Sequence, residues 1–378
     1  MNFDLSEDQK MLVATVDSFV KKQSPVTRLR KLREDPTGWQ KSVWRQFGEF
    51  GWLGVMFPEE LGGVGGSFVD AALILEQLGV ALVPEPLLPA LVAGTALVRA
   101  GSAGQQQRWL QPMIAGETSL ALAYAEAQSR FDPTDVVTRA TAHGKGWKLE
   151  GEKRWVLNGH AADQFVVSAR TGAGLSLFLV DARTPGVNVT PVKTMDGHHA
   201  AMVRFAGASL DADRLLGTDG GAAPILDEAL DVGAAAACAE GAGITRTVLS
   251  MTCDYLRTRE QFGVKIGTFQ ALQHRAVDMF VETELCKSMS ILASIRVSDG
   301  SPPDERRAAV SAAKVQLAVG GRQVTQQAIQ LHGGIGVTDE HDVGLYFKRM
   351  HVLNTLFGDE DHHVARYAAQ PGFSAGME

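Results

Sequence analysis

Two segments carry residue types that can hold an anion: Arg259-Glu260-Gln261-Phe262-Gly263 and Gln330-Leu331-His332-Gly333-Gly334-Ile335-Gly336. Each sets glycine beside a cationic or amide side chain at the end of a long helical stretch. Glycine lets backbone N–H groups approach a ligand, because no Cβ stands in the way. An arginine that keeps its charge beside such a turn suits a diphosphate. Either corner alone reads as a capped helix end; two in one helical region point to a shared anionic ligand. Asp359-Glu360-Asp361-His362-His363 has the look of a metal cluster, yet nothing elsewhere supplies converging ligands. The expectation there is a polar, partly solvated segment and no metal. His198-His199 follow the turn signal Asp196-Gly197 and are expected on a surface loop. Residues 62–66 lack the Lys-Ser/Thr of a phosphate loop, and neither G-x-G-x-x-G after a strand nor G-x-S-x-G occurs.

These corners need long helices to hold them. At 378 residues the chain is too large for one simple core, so two or three domains are expected. Hydrophobic content of 45% with 21% charged residues reads as globular, and a net charge of −7 argues against nucleic acid or anionic membrane as partner. No apolar run approaches the roughly 20 residues of a membrane span. The first residues lack the basic start and apolar core of an export signal. Cys238, Cys253 and Cys286 have neither zinc nor disulfide spacing, so a reducing cytoplasm is expected.

The N-terminal third reads helical. Ser6 with Gln9 makes a capping box, and Leu12, Val13, Val16, Phe19 and Val20 recur at helical spacing. Trp39, Val43, Trp44 and Phe47 mark a second helix. Pro58-Glu59-Glu60-Leu61-Gly62-Gly63-Val64-Gly65-Gly66 is a loop, and helical stretches over 69–78, 87–99 and 105–114 stop at Gly79, Gly101 and Gly116. From about Ser119, strand-like runs at 147–150, 155–157, 165–168 and 175–180 are separated by turns, not helices. Helix returns near Ala222; 268–298 would reach roughly 45 Å if continuous, and Pro302-Pro303 interrupts before 304–331 resumes. The expected class is α+β: an N-terminal helical domain over 1–118, a middle antiparallel β-domain over 119–218 and a C-terminal four-helix bundle over 219–378.

This order, with both corners where they stand, resembles the acyl-CoA dehydrogenase family over nearly the whole chain. Tyr255-Leu256-Arg257-Thr258-Arg259-Glu260-Gln261-Phe262-Gly263-Val264-Lys265-Ile266, followed by Phe269-Gln270, is similar to its second signature. The stretch 330–336 resembles its QxxGG corner, and 58–66 its PEExGG loop. Gly151-Glu152-Lys153-Arg154-Trp155-Val156-Leu157-Asn158-Gly159 resembles the β-domain segment beside the flavin. The resemblance implies FAD, held across a subunit interface. Arg259 would meet the diphosphate, Gln261 and Phe262 the adenosine side, with Phe269 and Gln270 nearby and Gln330, Gly333 and Gly334 closing that half. It also implies α,β-dehydrogenation of an acyl-CoA thioester, in which a carboxylate takes the α-proton. Electron-transfer flavoprotein is the implied acceptor.

Counting along the same resemblance, the usual catalytic glutamate falls on Gly358, and the alternative Glu-Arg pair on Gly233-Ala234. Neither position carries a base. The Thr-Glu-Pro segment is Ala125-Glu126-Ala127, and the hydroxyl expected at flavin N5 is Leu157, leaving Trp155 as a ring-stacking residue. The half lent to a neighbour is intact and the half used for its own flavin is eroded. That asymmetry predicts the base-lacking subunit of a hetero-oligomer, its partner a related acyl-CoA dehydrogenase subunit. Two readings stand beside it. One is a self-sufficient homo-oligomer with a relocated acid, Asp359 foremost, with Glu360 and Asp231 also adjoining the vacant positions. The other is a structural or regulatory subunit without flavin. Alanines 234–237 are expected to serve close helix packing, with room for a wide acyl group as the functional alternative. Lys153-Arg154 is expected as an exposed basic pair, CoA phosphates being the alternative; Glu76 and Arg99 show no special partner.

Overall fold

The computed structural model describes residues 4–371. Its contacts divide it into two compact units, each assembled from separate stretches: 4–31, Phe68–Val83 and 234–371 form one, Leu32–Ser67 and Pro84–Gly233 the other.

α1 (Glu7–Gln23) opens at the expected capping box: Ser6 Oγ accepts from the Gln9 amide and the Gln9 side chain accepts from the Ser6 amide, both at 3.1 Å. Its Val16, Phe19 and Val20 are buried, the stripe the spacing requires. α2 (Val26–Leu32), which no periodicity flagged, is followed by α3 (Lys41–Glu49). Trp39, expected inside that helix, precedes it and is buried, its Nε1 donating to Asn158 Oδ1 at 2.9 Å. A buried indole needs an acceptor, and this one finds it outside helical geometry. α4 (Phe68–Gly79), α5 (Leu87–Ala100), α6 (Ala103–Gln105) and α7 (Gln111–Ile114) complete the N-terminal helices.

One eight-stranded sheet follows: β1 (Leu120–Ala123), β2 (Arg139–His143), β3 (Gly146–Leu157), β4 (Gln164–Arg170), β5 (Leu175–Asp181), β6 (Val187–Lys193), β7 (His199–Leu210) and β8 (Leu215–Leu216). The order is β6-β7-β3-β2-β4-β5-β8, with β1 beside β4. Most pairs are antiparallel as expected, but β1 runs parallel to β4 and β2 meets β4 in parallel at one position. β1 reads Leu-Ala-Leu-Ala and is buried throughout, the continuous apolar run of a parallel strand rather than an alternation. The two runs expected around Trp147 and Trp155 are one strand, β3, whose register against β7 slips at Leu149/Glu150 and again between Lys153 and Val156. Phe165, Phe178 and Phe205 fill the core under this sheet.

α8 (Ala223–Thr258) opens in the second unit and ends in the first. The hairpin β9 (Glu260–Gln261) and β10 (Val264–Lys265) leads into α9 (Gln270–Ser298), continuous as expected. α10 (Pro303–Gln316) starts with Pro303, whose missing N–H costs nothing at a first turn. A π-helical turn over Leu317–Gly321 joins it to α11 (Arg322–His332), and α12 (Val343–Thr355) and α13 (Glu360–Ala368) complete the unit. Residues 234–237 are buried, and Gly243 backs directly onto the Glu76 carbonyl of α4, the close packing expected of small residues. Glu76 pairs with Arg246 at 3.0 Å, and Arg99 with Glu228 at 2.6 Å. No helix among the described residues is long and apolar enough to cross a membrane.

Candidate functional site

Arg259 follows the last residue of α8, its amide donating to the Tyr255 carbonyl and its own carbonyl accepting from Ile266, both at 2.9 Å. Between them, Phe262 at φ 56° and Gly263 at φ 77° join β9 to β10. Positive φ at both central positions is a type I′ turn, whose twist matches the flanking strands. The turn leaves Phe262 90% exposed, edge-on to Phe269 at 6.1 Å between ring centroids. Gln261 and Gln270 are exposed, and the exposed Arg259 guanidinium has no hydrogen bond or ion pair among the described residues. At the second corner Gly333, φ 63°, caps α11 by donating to the carbonyl of the exposed Gln330. A Cβ added at Gly263, Gly333 or Gly334 would meet nothing within 4 Å. Packing inside the chain therefore does not require those positions to be bare. An unpaired cation, an exposed aromatic ring and open glycine backbone fit the diphosphate and adenosine half of FAD.

Behind the corners lies a cluster to which sequence reasoning gave no role. The rings of Tyr255 and His332 lie 4.6 Å apart, and that of His341 lies 4.5 Å from His332. Tyr255 and His332 sit inside the quoted motifs; only their position at helix ends could have marked them.

Gly358, where a glutamate would stand, has φ 126°. A Cβ there would lie 2.5 Å from His362 Cδ2 and 2.6 Å from His363 Nε2. His363 is 1% exposed, and burial pushes its ring far below the usual histidine range. The segment expected to be partly solvated is thus the start of α13. Asp359 is its N-cap, the carboxylate accepting from the His362 amide at 3.0 Å. Among the described residues no three His, Cys, Asp or Glu side chains converge as a metal site. Lys314, fully buried, donates to the carbonyls of Leu353 and Leu356 at 2.6 and 2.8 Å and so fastens the end of α12. Burial lowers its pKa to about 8, against the pull of Cys238 and Asp359. Gly233 is buried within α8, as is Asp231.

On the sheet, Trp155 sits in the second bulge of β3 at φ 54° and is 56% exposed. A bulge leaves its extra residue unpaired and re-aims the side chain. Leu157 is half-buried opposite Ala200. Lys153 is not the exposed base its neighbour suggested. It is fully buried, with Nζ 2.6 Å from Glu126 Oε1 and further bonds to Ser168 Oγ at 2.9 Å and the Tyr124 carbonyl at 3.1 Å. Glu126 also accepts from the Val137 and Thr138 amides at 2.8 and 3.1 Å. Burial raises the Glu126 carboxyl, but the Lys153 charge and these bonds outweigh it and hold the pKa near about 2. Glu126 thus acts as a staple between Lys153 and the backbone at Val137 and Thr138. His198 and His199, expected on a surface loop, are half-buried: His198 follows the turn at Asp196-Gly197 in that loop, while His199 opens β7 with its ring 5.0 Å from that of His160.

Comparisons with known proteins identify the family. Family models described as the acyl-CoA dehydrogenase N-terminal, middle and C-terminal domains match residues 6–117, 121–208 and 220–370. The acyl-CoA dehydrogenase IpdE2 of Mycolicibacterium smegmatis is 31% identical over 368 residues, covering 97% of this chain and 99% of its own. Among solved structures, a variant of the Tcur3481–Tcur3483 steroid ACAD is 30% identical with TM-score 0.88, covering 98% of this chain and 99% of that one. The ChsE4–ChsE5 complex from Mycobacterium tuberculosis is 29% identical with TM-score 0.88 and covers 97% of both. Models of all three domains matched in order along the chain, with a relative 31% identical over nearly its whole length, make this chain a member of the acyl-CoA dehydrogenase family, FAD-dependent oxidoreductases acting on CH–CH bonds.

Proposed function

We propose that this chain is the base-lacking subunit of a hetero-oligomeric acyl-CoA dehydrogenase, of heterotetrameric type, acting in lipid catabolism in the cytoplasm. The observation that carries the reading is Gly358: the backbone there is in a glycine conformation, and the ring of the buried His363 occupies the space a side chain would enter. In this reading the fold itself leaves no room for a glutamate side chain at that position. Asp359 is engaged as a helix cap, which argues against a relocated base.

FAD, when bound, supplies the hydride acceptor. In this reading Arg259 neutralises the diphosphate. Gln261, Phe262, Phe269 and Gln270 line the adenosine side, and Gln330, Gly333 and Gly334 close that half for the partner's flavin, while Trp155 is the ring this chain offers on its own sheet. The partner, a related acyl-CoA dehydrogenase subunit, supplies the carboxylate for the α-proton; electron-transfer flavoprotein takes the electrons. The boundaries 1–118, 119–218 and 219–378 are the divisions proposed for the three domains. That two solved neighbours are described by paired subunit names supports a mixed assembly.

Purified alone, the chain should be colourless and inactive; co-expressed with its partner it should yield a yellow complex. A bright yellow, active homo-oligomer would overturn the proposal. Arg259→Ala in the complex separates cofactor subunit from scaffold: FAD loss supports the former, full retention the latter.

A further inference from the structure

We propose that His332 is a positioning residue that clamps the two glycine-bearing corners into one nucleotide-binding half; this rests on assigning that half to FAD. Each corner is by itself an exposed turn hung on the end of a helix. The first hangs on α8 through Tyr255, whose carbonyl accepts the Arg259 amide. The second begins immediately after His332, the last residue of α11. These two residues meet ring to ring, 4.6 Å between centroids at 30°.

The His332 ring is held from three sides. It is 2% exposed, and its Nδ1 lies 2.8 Å from the Ala328 carbonyl one turn back. A carbonyl can only accept, so Nδ1 carries the proton and the tautomer is set. His341 packs at 4.5 Å, and its own Nδ1 accepts the Val343 amide at 3.1 Å where α12 begins. The ends of α8 and α11 and the start of α12 therefore converge on one imidazole. Burial keeps that ring neutral, lowering its pKa from the ordinary value.

The consequence is for binding more than for folding. A dinucleotide's diphosphate and adenosine must meet both corners together, and a preorganised pair spares the ligand the ordering it would otherwise impose. Gly333 and Gly334 have no side chains to hold their own turn, so its aim depends on the ring just before them. Removing that ring frees the second corner relative to Arg259 while leaving every ligand-facing group in place.

The test uses the complete assembly and follows FAD release on dilution by the rise of flavin fluorescence. His332→Ala should release FAD roughly threefold to tenfold faster, the range that loss of one aromatic contact implies. His332→Phe, which keeps the ring, should restore most of the retention, and Tyr255→Ala with His332→Ala should be no worse than His332→Ala alone. Tyr255→Ala alone, at a half-exposed position, gives the same reading if His332→Ala does not fold. Arg259→Ala is the control: unchanged release there refutes the FAD assignment itself. Accelerated release in Arg259→Ala with normal release in folded His332→Ala, or no rescue by His332→Phe, overturns the clamp.

Discussion

Gly358→Ala and Gly358→Glu should destabilise the chain by nearly the same amount, because the obstruction lies at the first side-chain atom. At φ 126° a non-glycine residue is strained, which costs about 1–3 kcal/mol. The added Cβ, 2.5–2.6 Å from His362 and His363, overpacks the site for about another 1–3 kcal/mol. His363 has no easy escape, being buried with its Nδ1 3.3 Å from Ser311 Oγ. Urea denaturation should show a lower midpoint at unchanged slope, corresponding to about 2–6 kcal/mol for each variant. Adding His363→Ala to Gly358→Ala removes the His363 share of the steric part and leaves the His362 contact and the strain. The pair should therefore couple by about 0.5–3 kcal/mol. A Gly358→Glu protein with the parental midpoint, or one that alone dehydrogenates an acyl-CoA, would refute the reasoning.

Other perturbations probe separate parts. Lys153→Met strands the buried Glu126 carboxylate and should cost about 3–5 kcal/mol, with Lys153→Met/Glu126→Gln milder; equal losses would deny the ion pair its role. Glu126 titrates near about 2 when folded against an ordinary 4.5, so its stabilisation is full above pH 4.5 and is lost as pH falls toward 2; Glu126→Gln should flatten that acid limb. His160 and His199 are both held below the ordinary 6.5, by burial first, and for His199 also by His160 and Lys193. Below pH 6.5 the unfolded chain binds protons the folded chain refuses, so stability falls with pH, and replacing both rings by glutamine should remove that slope. Asp359→Asn keeps an equally good cap, so both stability and turnover of the complex should be unchanged; a collapse of turnover would restore Asp359 as the base. Gly334→Val should leave stability within about 0.5 kcal/mol, since its Cβ meets open space, yet weaken FAD retention.

Local signals were legible in the sequence. The Ser6–Gln9 box, the unbroken α9 and both glycine corners rest on residues within a few positions of each other, where propensity and turn chemistry decide. What escaped depends on partners far along the chain. Lys153 reads as a surface base until Glu126, in the segment between β1 and β2, closes on it. β1 has too few residues to show a period, and its parallel pairing is decided by β4. The bulge at Trp155 splits one strand into two apparent runs. Asp359 looked like a ligand or a base because capping and chemistry use the same carboxylate, and only the fold of α13 separates them. The two contact units interleave distant stretches, which no composition shift announces.

The π-helical turn over Leu317–Gly321 gives α10 and α11 different phases along what is otherwise one rod. A π turn holds one residue more than an α turn, so it rotates all that follows by roughly 100°. The direction in which Gln330 and Gly333 face is thus decided a dozen or so positions upstream, by a local excess of chain rather than by the corner itself. Deleting one residue there would heal the helix and swing the corner away from Arg259, so a shorter rod would be the more regular one and the worse binder.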